Sequence, residues 1–251
     1  MQIVVNGLLT NYQQSGKSGP TIVLLHGWAD SQKTFDLLVN RLSSENEVIT
    51  LDLPGFGQTE APKTVWGLSD YCKFISDFLN KINVTTVDLL LGHSNGGALA
   101  IKLVASGDIV PKKLVLLSSA GIRDREKVKK LGLKVVAKSG KIATFWLPKS
   151  SKQKLQKKLY GTIGSDMLVA PELKETFKKT VSEDIQSDAK KLKLPTMIIY
   201  GDQDKATPVV YGEVFNRLID GSSLKVIHGA SHFVHQDRPD EVIGLIEGFL
   251  K

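Results

Sequence analysis

The chain has 251 residues, of which 41% are hydrophobic and 24% are charged, a composition typical of globular proteins rather than fibrous or disordered ones. It carries a net charge of +7 and one cysteine, Cys72, which excludes a disulfide framework, a thiolate zinc cluster and an iron–sulfur centre. No secretory signal pattern and no apolar run of about 18 residues is present, so we expect a cytoplasmic protein without a membrane span.

Short apolar runs recur along the chain and predict strands. Residues 2–5 and 8–13 flank Asn6-Gly7, a strong signal for a two-residue hairpin turn, so we expect an antiparallel edge there. Later runs are rich in β-branched and aliphatic residues, which is typical of strands buried on both faces of a parallel sheet. These runs are residues 21–25, 47–51, 87–91, 113–117, 196–200 and 224–227.

Amphipathic patterns between the strands predict helices. The predicted helices are residues 34–42, 69–82, 98–105 and 240–250. Ser69 is expected to cap the second of them, because a serine hydroxyl can accept a hydrogen bond from a free N–H of the first turn. The alternation of strand and helix predicts an α/β fold with a mostly parallel twisted sheet flanked by helices.

The alternation stops between residues 122 and 193, where the composition is helical and rich in Lys and Leu. We interpret residues 122–193 as a helical cap, or lid, inserted into an α/β core of residues 1–121 and 194–251. Ligand sites in such sheets lie at the carboxyl ends of the strands, so we expect the cap to cover the site.

The basic excess of the chain lies entirely in the predicted cap. Residues 122–193 contain 19 Lys and Arg against 8 Asp and Glu, leaving 14 against 18 in the rest of the chain. A solvated helical surface would explain this charge, and so would recognition of an anionic substrate or carrier.

A candidate nucleophile follows the predicted strand that ends at Leu91. The sequence Gly92-His93-Ser94-Asn95-Gly96 has the spacing of a strained strand-to-helix turn, with small residues two positions before and after the serine. Ser94 would lie at a helix N-terminus, which favours developing negative charge. The alternative is a glycine-rich turn whose serine only caps the helix.

A serine nucleophile needs a base and a group that orients the base. The spacing G-x-x-D-x-x-x-P from Gly201 to Pro208 and the spacing G-x-x-H from Gly229 follow two successive predicted strands. Together with the strand-to-helix turn around Ser94, which we call the elbow, these motifs resemble the α/β-hydrolase family. The resemblance implies Ser94 as nucleophile, Asp204 as acid and His232 as base.

Several neighbouring residues are rivals for these roles. Asp202 lies two residues from Asp204, and Asp124 is the candidate in members that carry the acid after an earlier strand. His228 and His235 flank His232, and we expect both to be structural or solvated.

The remaining site residues follow from the same resemblance. The backbone N–H groups of Asn95 and Trp28 would form the oxyanion hole, with Gly27 beside Trp28. His26 and His93 would support the loop and the elbow from behind. The turn from Asp52 to Thr59 is also similar to a structural turn of the family.

The predicted chemistry is cofactor-free acyl transfer, ending in hydrolysis of a carboxylic ester or thioester. No dinucleotide or phosphate-binding glycine loop is present, and neither a cofactor nor a metal is expected. One alternative is a carbon–carbon bond hydrolase of the meta-cleavage type, whose usual oxyanion loop and elbow differ from Trp28-Ala29-Asp30 and Asn95. Another is a ligand receptor of the same fold with vestigial activity.

The cap suggests the substrate class. The motif His26-Gly27-Trp28, the turn Pro54-Gly55-Phe56-Gly57 and the basic cap together resemble esterases of the pimeloyl-carrier-protein methyl ester esterase type. This resemblance implies an acyl substrate, and it leaves open whether an anionic group on the substrate or an acidic carrier protein meets the basic cap. Phe145 and Trp146, bracketed by lysines, are expected to line the acyl pocket, with docking on anionic lipid as the alternative. The basic region has no known nucleic-acid reading motif, so no nucleic-acid partner is expected.

Overall fold

A computed structural model describes residues 1–16, 19–123 and 171–251 of the chain. Eight strands form one sheet in the order β1-β2-β4-β3-β5-β6-β7-β8. Their bounds are β1 Gln2–Val5, β2 Leu8–Ser15, β3 Thr21–Leu25, β4 Glu47–Leu51, β5 Leu89–His93, β6 Lys113–Leu117, β7 Thr196–Gly201 and β8 Ser223–Ile227. The predicted α/β fold is confirmed.

The amino-terminal strands form the expected antiparallel edge. Strand β1 pairs antiparallel with β2, and β2 pairs antiparallel with β4, while the pairs from β4 to β8 are parallel. Asn6 and Gly7 have φ angles of 48° and 80°, as a two-residue hairpin with the native strand twist requires.

The helices lie between the strands and after them. Their bounds are α1 Asp36–Leu42, α2 Leu68–Lys81, α3 Asn95–Ser106, α4 Lys174–Ser182, α5 Gln186–Ala189, α6 Val209–Leu218, α7 Val234–Asp237 and α8 Pro239–Leu250. Short 3₁₀ turns precede α1 and α4, at Gln32–Phe35 and Pro171–Leu173. The four predicted helices are present with shifted ends, and α6 and α7 were not predicted.

The N-cap residue predicted for α2 is wrong. The helix begins at Leu68, and its N-cap residue is Gly67 rather than Ser69. The Gly67 N–H donates to Oδ2 of Asp70 at 2.7 Å, and the Leu68 N–H donates to Oε1 of Glu183 at 2.8 Å. Two carboxylates therefore satisfy the free donors of the first turn, one of them from a segment distant in sequence.

The core lies on both faces of the sheet. Val23 and Leu25 of β3 belong to one buried cluster, whereas Ile22 and Leu24 belong to another. Because side chains alternate along a strand, each face of the sheet carries its own core. Burial of each such side chain contributes roughly 1.5–3 kcal/mol.

Strands β5 and β8 differ from the prediction. Strand β5 begins at Leu89, two residues later than expected, and extends to His93. Strand β8 is not buried on both faces, since Lys225 and Val226 are exposed. It pairs only with β7 and is therefore an edge strand of the described sheet.

The carboxyl-terminal end of the predicted cap packs on the core. Leu173, Ile185, Ala189 and Leu192 are buried within the same cluster as helices α2 and α3, and Phe177 is also buried. Phe145, Trp146 and Asp124 lie outside the described residues. No helix within the described ranges combines the length and apolar character that crossing a bilayer requires.

Candidate active site

Ser94 lies between β5 and α3, at the carboxyl end of the sheet. Its φ and ψ angles are 53° and −117°, a conformation that is rare and strained for a residue other than glycine. The turn presents Ser94 directly before the first residue of α3, where the helix dipole favours negative charge. This is the backbone geometry expected of a nucleophile elbow.

Close backbone approach explains the glycines around Ser94. A Cβ at Gly92 would lie 2.3 Å from the Gly96 carbonyl oxygen, and a Cβ at Gly96 would lie 2.1 Å from that of Leu25. A Cβ at Gly27 would lie 3.0 Å from Cβ of Ser94. The loop after β3 is therefore in close contact with Ser94.

Asp204 and His232 meet across the ends of β7 and β8. Oδ2 of Asp204 lies 2.9 Å from Nδ1 of His232, with the Asp204 side chain fully buried and that of His232 19% exposed. The other oxygen, Oδ1, accepts the N–H groups of Ala206 and Thr207 at 2.8 and 2.9 Å. Burial raises the pKa of Asp204, but the bonds from His232 and Thr207 outweigh it and lower the pKa overall.

Thr207 is a residue of this site that the sequence analysis did not identify. Its hydroxyl lies 2.8 Å from Oδ2 of Asp204, 3.1 Å from Nδ1 of His232 and 2.9 Å from the Ser118 carbonyl oxygen. It can accept from the imidazole and donate its one hydrogen to a carbonyl or carboxylate oxygen. The only sequence signal was its position between Asp204 and Pro208.

Asp202 points to a different partner. Its Oδ1 accepts the Gly229 N–H at 2.8 Å, and its Oδ2 pairs with Nδ1 of His228, whose side chain is 97% exposed. The structure thus pairs Asp204, and not Asp202, with His232. His228 is solvated, as expected.

His26 ties the loop after β3 to the turn that follows β4. Its Nε2 accepts the Leu53 N–H at 2.8 Å, so Nδ1 carries the proton and donates to the Gly27 carbonyl at 2.7 Å. Burial lowers the pKa of His26. The neutral ring therefore acts as a fixed bridge between two loops.

His93 and His235 surround His232 from the protein interior. Nε2 of His93 donates to the His232 carbonyl oxygen at 3.0 Å, and Nε2 of His235 lies 3.1 Å from Oγ1 of Thr34. Burial, with smaller contributions from neighbouring histidines, lowers the pKa of His93 well below 6.5 and that of His235 to about 4. Both rings are neutral, and His235 is structural, as expected.

The two predicted oxyanion donors are the N–H groups that follow Gly27 and Ser94 in the sequence. Among the described residues, neither the Trp28 nor the Asn95 backbone N–H donates a hydrogen bond to a protein group. Ala29, which follows Trp28, has a φ of 57°. The indole of Trp28 packs against Phe56 at a centroid distance of 4.8 Å and against Phe177 at 5.1 Å.

The described residues contain no cluster of three or more His, Cys, Asp or Glu side chains arranged to hold a metal ion. Their chemistry is that of a serine, an imidazole and a carboxylate at the ends of three parallel strands. Such a group can activate a hydroxyl for attack on a carbonyl carbon.

Comparison with known proteins agrees with this geometry. The family model described as serine aminopeptidase, S33, matches residues 16–239. The chain belongs to this family of α/β hydrolases. As a family member it is a hydrolase, and the match spans β3 to β8 and both predicted ends of the cap.

Individual relatives and structural neighbours cover nearly the whole chain. It is 27% identical over 259 residues to a pimeloyl-[acyl-carrier protein] methyl ester esterase of Neisseria meningitidis serogroup A, covering 95% of this chain and 80% of that one. It is 23% identical over 261 residues to 2-hydroxy-6-oxo-6-(2'-aminophenyl)hexa-2,4-dienoic acid hydrolase of Metapseudomonas resinovorans, covering 97% and 88%. The enol-lactonase structure from Burkholderia xenovorans LB400 superposes with a TM-score of 0.79 at 19% identity, covering 100% and 99%.

Proposed function

We propose that this S33 hydrolase cleaves a carboxylic ester or thioester through an acyl-enzyme on Ser94. The observation that carries the proposal is the 2.9 Å hydrogen bond between buried Asp204 and His232. A carboxylate so placed holds the imidazole in the tautomer whose Nε2 is free to accept a proton.

The proposed reaction has two halves. Ser94 Oγ attacks the substrate carbonyl while His232 takes the hydroxyl proton, and His232 then gives that proton to the departing alkoxide or thiolate. Water, deprotonated by the same imidazole, attacks the acyl-enzyme and releases the carboxylic acid with Ser94 restored. Asp204 stays ionised throughout, as the lowered pKa of its carboxyl favours.

The oxyanion formed in each half needs two fixed donors. We assign them to the backbone N–H groups of Trp28 and Asn95. Two observations support this assignment: the loop of Gly27 lies against Cβ of Ser94, and both N–H groups are free of protein acceptors within the described residues. One such donor contributes about 10²–10³-fold to turnover.

The proposed substrate is an acyl ester that carries, or is carried by, an anionic group. The net charge of +11 on residues 122–193 supports this class. So does the similarity to an esterase whose name specifies a methyl ester on an acyl-carrier protein. An acidic carrier protein would meet the basic segment by charge complementarity.

Hydrolysis of p-nitrophenyl acetate and butyrate tests the proposal. The wild-type protein is expected to hydrolyse these esters, and the Ser94→Ala variant is expected to hydrolyse them at least about 10³-fold more slowly. A Ser106→Ala control is expected to have the wild-type rate. Ser106 is the exposed last residue of α3, and its hydroxyl donates a hydrogen bond to Asp108. Absence of turnover by the wild type of any ester, thioester or amide would refute the proposal.

Carbon–carbon bond hydrolysis is the second candidate, and the similarity to the dienoic acid hydrolase favours it. The same three residues would serve that reaction. Loss of the absorbance of a vinylogous dienone substrate, in protein that leaves p-nitrophenyl esters intact, would replace the esterase proposal with this one.

A further inference from the structure

Phe177 is a buried aromatic residue of α4 that contacts the loop of the proposed oxyanion donor. Its ring is 5% exposed and lies 5.1 Å from that of Trp28, at an interplanar angle of 52°. The ring of Phe56 also packs against the Trp28 indole, edge-on at a centroid distance of 4.8 Å. The indole therefore contacts one ring of the core and one ring of the predicted cap.

The backbone at Trp28 needs such support. Ala29 has a positive φ of 57°, which is unfavourable for a residue with a Cβ and persists only where the surroundings impose it. His26 fixes the loop on the amino-terminal side through its bond to Gly27. At Trp28 itself, packing of the side chain against Phe56 and Phe177 restrains the loop.

Helix α4 is itself fixed to the core, so the position of Phe177 is defined. The Trp66 N–H donates to Oγ1 of buried Thr176 at 3.1 Å. Leu173 at the start of the helix packs against Gly55, where a Cβ would lie 2.4 Å from Cδ1 of the leucine. Beyond the helix, Lys102 Nζ of α3 lies 3.5 Å from Oε2 of Glu183.

We propose that Phe177 is a positioning residue that holds the Trp28 N–H in its oxyanion-binding direction. The inference rests on the proposed function and extends it, since it makes one helix of the predicted cap part of the catalytic apparatus. A shift of about 1 Å in a positioned group can cost about 10²-fold in rate. The effect appears in stabilisation of the transition state rather than in substrate binding.

The test compares Phe177→Ala and Phe177→Leu with Val181→Ala, a control at an exposed position of the same helix. Val181 is 46% exposed. The readouts are kcat and KM for p-nitrophenyl acetate, and the inhibition constants of a trifluoromethyl ketone and of acetate. The ketone forms a tetrahedral oxyanion adduct with the serine, whereas acetate reports ground-state binding.

Phe177→Ala is expected to lower kcat about 10- to 100-fold and to raise the inhibition constant of the ketone by a similar factor. KM and the acetate constant are expected to change less than about threefold, and Val181→Ala is expected to match the wild type. If Phe177→Ala does not fold, Phe177→Leu gives the same test with an expected change of about three- to tenfold, because it keeps the apolar volume but lacks the ring.

Two results would overturn the inference. One is a folded variant with unchanged kcat, and the other is a fall in kcat without a matching rise in the ketone constant, which indicates general loosening. Failure of the proposed function is distinguishable from both, because the wild-type protein itself would then hydrolyse no ester.

Discussion

Oδ2 of Asp204 lies 2.9 Å from Nδ1 of His232, and the carboxylate is buried whereas the imidazole is partly exposed to solvent. The two side chains come from the loops after β7 and β8, which pair in parallel along their whole length. The arrangement orients the imidazole through Nδ1, as the proposed proton transfer from Ser94 to Nε2 requires.

Replacing Asp204 by Asn is expected to lower kcat about 10³- to 10⁴-fold, because an amide favours the wrong imidazole tautomer. Asp202→Asn is the matched control, since Asp202 binds Gly229 and His228 instead. Steady-state rates with p-nitrophenyl acetate give both values. A larger loss in the Asp202 variant would reverse the assignment of the acid.

Thr207 is expected to contribute through its hydroxyl alone. Thr207→Val removes the contacts to Asp204 and His232 but keeps the shape of the side chain, and about 1 kcal/mol of net hydrogen-bond energy corresponds to a loss of about fivefold. Thr207→Ser is expected to stay near the wild-type kcat. Equal kcat values in the valine variant and the wild type would show that the Thr207 hydroxyl does not contribute to catalysis.

The buried histidines are expected to make the fold sensitive to acid. The pKa of His235 is about 4 in the folded chain against 6.5 for a free histidine. Between these values the unfolded chain binds the proton and the folded chain does not, so the free energy of unfolding falls as pH decreases from about 6.5 towards about 4.

Denaturant titrations at pH 7 and pH 5 test this expectation. At pH 5 the His235 contribution is lower by about 2 kcal/mol, and His235→Phe is expected to reduce the difference between the two pH values by that amount. Exposed His228→Gln is measured in parallel, so that the effect of replacing the buried ring can be compared with that of replacing an exposed one. A wild-type stability equal at both pH values would contradict the account.

The elbow glycines are expected to be indispensable for stability as well as activity. Gly92→Ala would place a Cβ 2.3 Å from the Gly96 carbonyl oxygen, so either the turn or the helix has to move. We expect a loss of at least about 2 kcal/mol. Gly248→Ala, in α8 with nothing within 4 Å of its Cβ, is expected to stabilise by about 0.5–1 kcal/mol, and thermal unfolding compares the two.

Local patterns were enough to predict much of the molecule from its sequence. The Asn6-Gly7 hairpin, the elbow around Ser94 and the pairing of Asp204 with His232 all depend on spacing within one segment or on the ends of neighbouring strands. These are the features for which periodicity, turn residues and a family resemblance carry information.

Contacts between distant segments could not be predicted in the same way. Ser69 looked like an N-cap, but Glu183 satisfies the first turn of α2 from more than 100 residues away. Phe177 lies in a lysine-rich helix that reads as solvated, yet it is buried against Trp28. Thr207 acquires its role only because β6, β7 and β8 end together, which brings Ser118 and His232 to its hydroxyl.

Mass spectrometry of the protein after reaction with a fluorophosphonate tests the central claim most directly. The account predicts a single phosphonyl adduct on the peptide that contains Ser94, formed quickly by the wild type and much more slowly by His232→Ala. It also predicts no adduct in Ser94→Ala. Labelling of a different residue, or labelling that is unchanged in the Ser94→Ala variant, would contradict it.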